Sequence, residues 1–258
     1  MWIRVTQLLA AFYEVVISDT KQVYLAFLIA LVLLLFTHLK DIRKALLYIA
    51  ATAITLGVVY WAAYTVFPAL LTWARPEIYG PDGEATKLKL AAFHIIPSYY
   101  NSPLNWLIGL GPGHTIGRLG GWMLDKYWNL LGPLGATISP ASKAVWKAVG
   151  ESWLGDQSSM FSPLFGWAGI WGDLGALGLG AYLYLTFLVW RLLCVNDLCK
   201  YLLLTVFVFG LVFSQMEEPG YMLFVASLVG LQWQEHRSRA AVSSRETYTQ
   251  MRTLDRSW

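Results

Sequence analysis

The sequence predicts an all-α fold: a polytopic helical membrane protein with about five transmembrane helices and a large external helical loop. Three observations predict it. Of the 258 residues, 57% are hydrophobic and only 14% charged, too few charges to solvate a globular surface of that size, and the mean hydropathy is +0.50. Apolar stretches near the roughly 20 residues that a bilayer core of about 30 Å requires follow one another along the chain. The Lys and Arg residues gather in short clusters beside those stretches, as topology signals do. The net charge of +3 does not point to nucleic acid, because the clusters form no continuous basic face.

The N-terminal piece 2–17 carries Trp2, and Glu14 interrupts its apolar part. Without a clear small-residue cleavage site it does not read as a signal peptide, and its mixed faces suit a helix in the membrane interface, with a sixth, imperfect span as the alternative. The first certain span is 22–38, and a second runs from about Ala45 to about Leu70. Between them "LKDIRK" holds Lys40, Arg43 and Lys44, which marks a cytoplasmic loop. A third span opens at "LFGWAGIWGDLG" and stops at Arg191, whose loop also holds Lys200 and is cytoplasmic by the same rule. Both cysteines, Cys194 and Cys199, fall in that loop, where thiols stay reduced and no disulfide is expected. The last apolar block, 201–233, is too long for one helix. "SQMEEPG" breaks it, since adjacent acids and Pro219 are costly inside lipid, and the block reads as two short helices joined by an outward turn.

Residues 1–234 are therefore expected to form a single integral membrane domain, with residues of about 74–163 as the external loop. Residues 235–258, polar and rich in arginine, are expected to form a flexible cytoplasmic tail.

Function is sought in the external loop, because a connection of about ninety residues on a small membrane scaffold does more than connect. "TKLKLAAFHIIPSYYNSP" predicts a short amphipathic helix with Thr86 as its cap. "GGWMLDKYWNLLGPLGA" mixes Trp122, Tyr127 and Trp128 with charges, as segments at headgroup level do. "SPASKAVWKAVGESWLGD" predicts another amphipathic helix, capped at Ser139 or Ser142. Between the first two lies "NWLIGLGPGHTIGRLGG". It has neither the Rossmann glycine spacing nor a P-loop Gly-Lys-Ser/Thr, so nucleotide binding is not expected. Two readings stay open: an anion pocket made by glycine amides with His114 and Arg118, or a backbone bend with Arg118 snorkelling to headgroups. Composition favours the second.

The chain has no catalytic triad, HExxH helix or paired-cysteine motif, so neither a metal nor a cofactor is expected. His94, in "LAAFHII", is expected to be packed and hydrogen-bonded, while His114 is the better acid–base candidate. Asp173 is an acid inside a hydrophobic span, a functional hypothesis weighed equally against a helix-end acid reaching interfacial water. Glu217 and Glu218 share the outward turn and face the compartment of Arg118, as its partners or as markers of the turn.

The order of an external helix, "NSPLNWLIGLGPGH", a polar "GDQSSMFSP" and "GIWGDLGALGLGAYLYL" resembles the C-terminal half of the O-antigen ligase and polysaccharide polymerase family. Gly109, Gly111, Pro112 and Gly113 match its glycine loop and Gly172 to Gly178 a later motif, over about residues 85–233. The resemblance implies an inverting, metal-independent glycosyl transfer from a polyprenyl-diphosphate-linked glycan at the external face of a bacterial inner (plasma) membrane, in contact with the lipid bilayer. It also implies roles: Arg118 with Lys87 or Lys89 and the Gly111–Gly113 backbone for holding diphosphate, and His114 or Asp156 for activating the acceptor hydroxyl. Members of that family have more spans than this chain, so a truncated or split member, working with a partner membrane subunit, is expected. The alternative reading is a non-catalytic membrane subunit of an envelope polysaccharide assembly or export system. A transporter is disfavoured, because the certain spans hold few polar residues besides Asp173.

Overall fold

The computed structural model describes residues 5–7, 10, 21–38, 42–65, 75–118, 120–155, 161 and 166–254. Among these the regular structure is helical throughout, with no strand. Most of the N-terminal piece 2–17 lies outside the described residues, as do 66–70 at the end of the expected second span, and Asp156.

The leucine- and alanine-rich run Lys21–Thr37 forms helix α1. Helix α2, Ile42–Thr65, begins within the basic cluster, so that Arg43 lies in its first turn. Residues Pro76–Tyr79 make one helical turn ahead of α3, Glu84–Ile95. Gly83 rather than Thr86 occupies the N-cap of α3; the Thr86 hydroxyl instead donates to the Gly80 carbonyl (2.9 Å). Pro97 then carries the chain into the 3₁₀ turn Ile96–Tyr99. Helix α4, Pro140–Gly150, takes its cap from Ser139, whose oxygen accepts from the Ala141 amide, with Pro140 pre-set for the first turn. The other candidate cap, Ser142, accepts from the Gly121 amide (3.2 Å).

Helix α5 covers Gly166–Leu192 and is broken at Gly175, where φ is 65° and ψ −165°. Helix α6, Asp197–Val212, is capped by the Asn196 side chain on the Cys199 amide. The chain turns through Phe213–Glu218 and re-enters a helix, α7, at Pro219. Helix α7 continues to Leu254, so the part of the expected flexible tail from Glu235 to Leu254 is helical. Glu235 and Arg239 pair one turn apart there, and Arg237 lies over the Trp233 ring.

Helix α6 is the central element. Ala26 and Ala30 of α1 pack against its Val208 and Phe209, while Val225 and Val229 of α7 pack against its Leu202 and Val206. Cys194 and Cys199 are buried, free thiols in that second cluster. At the start of α6, the Asp197 carboxylate accepts from the Tyr48 hydroxyl (2.8 Å) and meets His38 Nε2 (2.9 Å), tying α2 and the end of α1 to its first turn. The segment between α2 and α5 has a core shared with the start of α5. Ala92, Ile96, Ile116, Val145 and Ala168 bring α3, the glycine run, α4 and the start of α5 together.

Among the described residues, α5 is the one helix long and apolar enough to cross a membrane. Shorter apolar stretches occupy Leu25–Thr37 and Ala45–Val58. The exterior of these helices is apolar: Leu46, Leu47, Ile54 and Trp61 of α2, Leu183 and Leu185 of α5, and Leu223 and Leu231 of α7 are all exposed.

Candidate functional site

The glycine run is seated on the first half of α5. Gly166, Gly169, Gly172 and Gly175 recur every third residue and leave a strip of α5 without side chains. The run lies on that strip. A methyl group at Gly169 would stand 3.0 Å from Gly117 Cα, and one at Gly172 would stand 2.7 Å from the Thr115 hydroxyl oxygen. The break at Gly175 leaves carbonyls of α5 without helical partners, and the loop supplies donors for them. Leu110 N–H donates to Gly172 O and Gly111 N–H to Asp173 O, both at 2.9 Å.

Asp173 points its carboxylate into the same loop. Oδ2 accepts from Gly113 N–H (2.7 Å), and Oδ1 accepts from Thr115 N–H (2.8 Å) and from the Thr115 hydroxyl (2.5 Å). The loop amides that could face an anion are thus turned onto the chain itself, those of Gly113 and Thr115 onto the Asp173 carboxylate and that of Gly111 onto the Asp173 carbonyl. Thr115 and Ile116 are fully buried beneath the loop.

The far end of the loop is held by the turn between α6 and α7. Arg118 N–H donates to Glu217 Oε2 (2.5 Å), and the Arg118 guanidinium pairs with Glu218 Oε1. Asp173 and Glu217 flank Gly117 closely, since a methyl group there would stand 3.2 Å from one carboxylate and 3.4 Å from the other. Glu217 Oε1 is buried and finds no hydrogen-bond partner among the described residues. Burial, reinforced by the Asp173 charge, pushes the Glu217 carboxyl up to about 7 against the pull of Arg118. The turn is clasped from two further sides, because Gly166 N–H donates to Phe213 O (2.9 Å) and Lys89 donates to Val212 O (2.8 Å).

Between these anchors His114 is exposed. Its Nδ1 lies 3.1 Å from Pro112 O. A carbonyl only accepts, so Nδ1 carries the proton in that bond, and in the neutral ring Nε2 is the acceptor.

Of the residues singled out in the sequence, Gly111, Gly113, His114 and Arg118 lie on this one loop, and Asp173 of α5 with Glu217 and Glu218 of the α6–α7 turn hold it. Lys89 faces inward: it reaches Val212 O, lies over the Phe213 ring, and burial pulls its ammonium down to about 7. Lys87 is exposed on α3. His94, expected to be packed, is exposed on the same helix. Asp156 lies outside the described residues. Thr115 carried no sequence signal, whereas the three-residue glycine spacing of "GWAGIWGDLG" is legible once a helix is assigned. Among the described residues no group of three or more His, Cys, Asp or Glu is arranged to hold a metal.

No family model, no curated protein and no solved structure matches the chain.

Proposed function

We propose that the chain is a polytopic membrane protein of the O-antigen ligase and polymerase type, acting as a glycosyltransferase on lipid-diphosphate-linked glycans at the external membrane face. The membrane part of this reading is supported by the apolar exterior of α2, α5 and α7, which water would not tolerate over so large an area. The site is supported chiefly by one observation: His114 stands exposed, with Nε2 as its acceptor, on a loop held at both ends by Asp173 and by the Glu217–Glu218 pair.

In the reaction this reading describes, an acceptor hydroxyl attacks the anomeric carbon of the donor sugar. The bond from that carbon to the diphosphate oxygen breaks, and the diphosphate leaves with the electron pair. His114 Nε2 takes the hydroxyl proton, a step that suits an imidazole held in one tautomer. Arg118 exchanges its Glu218 partner for the departing diphosphate, where a guanidinium offers two parallel donors. Asp173, Glu217 and Glu218 are positioning residues. Lys89, committed to Val212 and Phe213, is not offered to substrate in this arrangement.

Transfer from a purified polyprenyl-diphosphate-linked glycan, with the protein in nanodiscs, tests the assignment. His114→Gln is expected to lower transfer by about 10²- to 10⁴-fold while donor binding persists. Transfer unaffected by that change removes His114 from the chemistry.

A second reading, a non-catalytic membrane subunit of a polysaccharide assembly or export system, is favoured by one feature. The Gly111 and Gly113 amides and the Arg118 guanidinium, which a diphosphate would need, already have partners within the chain. Absence of donor binding by the native protein favours it.

A further inference from the structure

The segment just before the glycine run joins two properties. Leu104, Trp106, Leu107 and Ile108 are 60%, 51%, 46% and 56% exposed, a cluster of large apolar side chains at the surface. Yet the backbone donors around them are all closed within the chain. Ser102 N–H reaches Asn105 Oδ1 (3.0 Å) and Leu104 N–H the Ser102 hydroxyl oxygen (3.3 Å). The amides of Asn105, Trp106, Leu107, Ile108 and Gly109 bond to carbonyls of residues 102–105, and those of Leu110 and Gly111 bond to α5. Pro103 has no N–H, so every amide from Ser102 to Gly111 is satisfied without water. The Asn105 side chain is satisfied too, its Nδ2 donating to Gly109 O (3.0 Å).

Closing every donor while turning apolar side chains outward is what hydrocarbon demands and water does not. Charge agrees with it, because between Lys89 and Arg118 the sequence contains no Asp, Glu, Lys or Arg. Depth agrees as well. The turn Asn105–Ile108 sits against the break in α5, where a methyl group at Gly175 would stand 2.3 Å from the Leu107 carbonyl carbon. From the break onward the exposed face of α5 is Leu177, Leu183, Tyr184, Leu185 and Phe187, and at about 1.5 Å per residue it rises about 25 Å to Leu192. The turn therefore continues that apolar band at its outer edge. Trp106, packed edge-on against Tyr100 (5.2 Å) and near Trp171 (6.1 Å), is the ring type that settles at such a boundary.

We propose that residues 104–108 dip into the outer leaflet and contact lipid acyl chains, anchoring the glycine run at the membrane surface. The inference rests on the membrane reading of the chain and refines it, since the external segment then enters the bilayer at this turn. It places the Arg118 loop at headgroup level, where a lipid-linked diphosphate lies.

Spin labels at Leu107→Cys, Leu183→Cys and Lys147→Cys of the full chain in nanodiscs test it, with the native protein and its buried cysteines as the unlabelled control. Collision with oxygen is compared with collision with a water-soluble nickel chelate, and Leu104→Cys repeats the measurement should Leu107→Cys fold poorly. The expected result is an oxygen-to-nickel ratio at Leu107 several-fold above that at Lys147 and close to that at Leu183. A lipid-like ratio at Leu183 with a water-like ratio at Leu107 overturns the anchor and leaves the membrane reading standing. A water-like ratio at Leu183 overturns the membrane reading and the anchor with it. Dipolar broadening between Leu107 labels on two copies overturns the lipid contact in favour of a second chain.

Discussion

Asp173 accepts both the backbone N–H and the hydroxyl of Thr115 on one carboxylate oxygen, at 2.8 and 2.5 Å, and thereby fastens the glycine run to the broken helix α5. In Asp173→Asn an amide group replaces one of the two acceptor oxygens and faces a backbone donor. The expected loss is about 2–3 kcal/mol of stability, against about 1 kcal/mol for Thr115→Val, which removes only the hydroxyl. Thermal unfolding in nanodiscs reads both, and equal stability of Asp173→Asn and the native chain would sink the fastening role.

Close approach of backbone to backbone gives a second expectation. Gly169→Ala forces a methyl group to 3.0 Å from Gly117 Cα, whereas Gly180→Ala, on the same helix, meets nothing within 4 Å. The first is expected to lose about 1–3 kcal/mol through overpacking. The second is expected to be neutral or to gain up to about 1 kcal/mol, since alanine is the better helix former. Equal melting temperatures for the two variants contradict the packing described.

Glu217 makes stability depend on pH. Its carboxyl stands at about 7 in the folded chain and near its ordinary value of 4.5 when unfolded, so the folded state holds the extra proton between those values. The stability contributed by the neutral carboxyl is complete below about 4.5 and is lost as the pH rises through about 7. Glu217→Gln, which mimics the neutral form, is expected to flatten that part of a melting-temperature profile. A profile as steep as the native one shows that another group is responsible.

Lys89 works in the opposite sense. Its ammonium stands at about 7 rather than 10.5, so the unfolded chain binds the extra proton between those values and stability rises with pH across them. Lys89→Met is expected to remove that rise while losing the hydrogen bond to Val212 O, a matter of about 1 kcal/mol. Lys87→Met, at an exposed site, is expected to change neither stability nor donor binding. Weaker donor binding in Lys87→Met would instead return that lysine to the diphosphate.

The helical class was legible because apolar stretches and the Pro219 break are properties of local sequence, and the turn between α6 and α7 falls where "SQMEEPG" says it should. The pairing of Arg118 with the two glutamates was one of two readings the sequence left open, and composition could not choose between them because about a hundred residues separate the groups that meet. The use of the glycine run was hidden for a physical reason: whether free amides face a ligand or a carboxylate of the same chain depends on where Asp173 lands. Its landing place is set by the break at Gly175, and a glycine within an apolar helix does not announce a break in the sequence. Thr86 misled because a threonine near a helix start is a cap by type, while the chain reaches back to Gly80 instead.

The most direct test of the account is binding of a polyprenyl-diphosphate-linked glycan to the full chain in nanodiscs, native against Arg118→Ala. Removal of one charge-assisted contact to diphosphate is expected to weaken binding by about ten- to a hundredfold. Equal binding by both proteins, or none by either, would contradict a diphosphate site at this loop and leave the glycines as the joint that closes the broken helix.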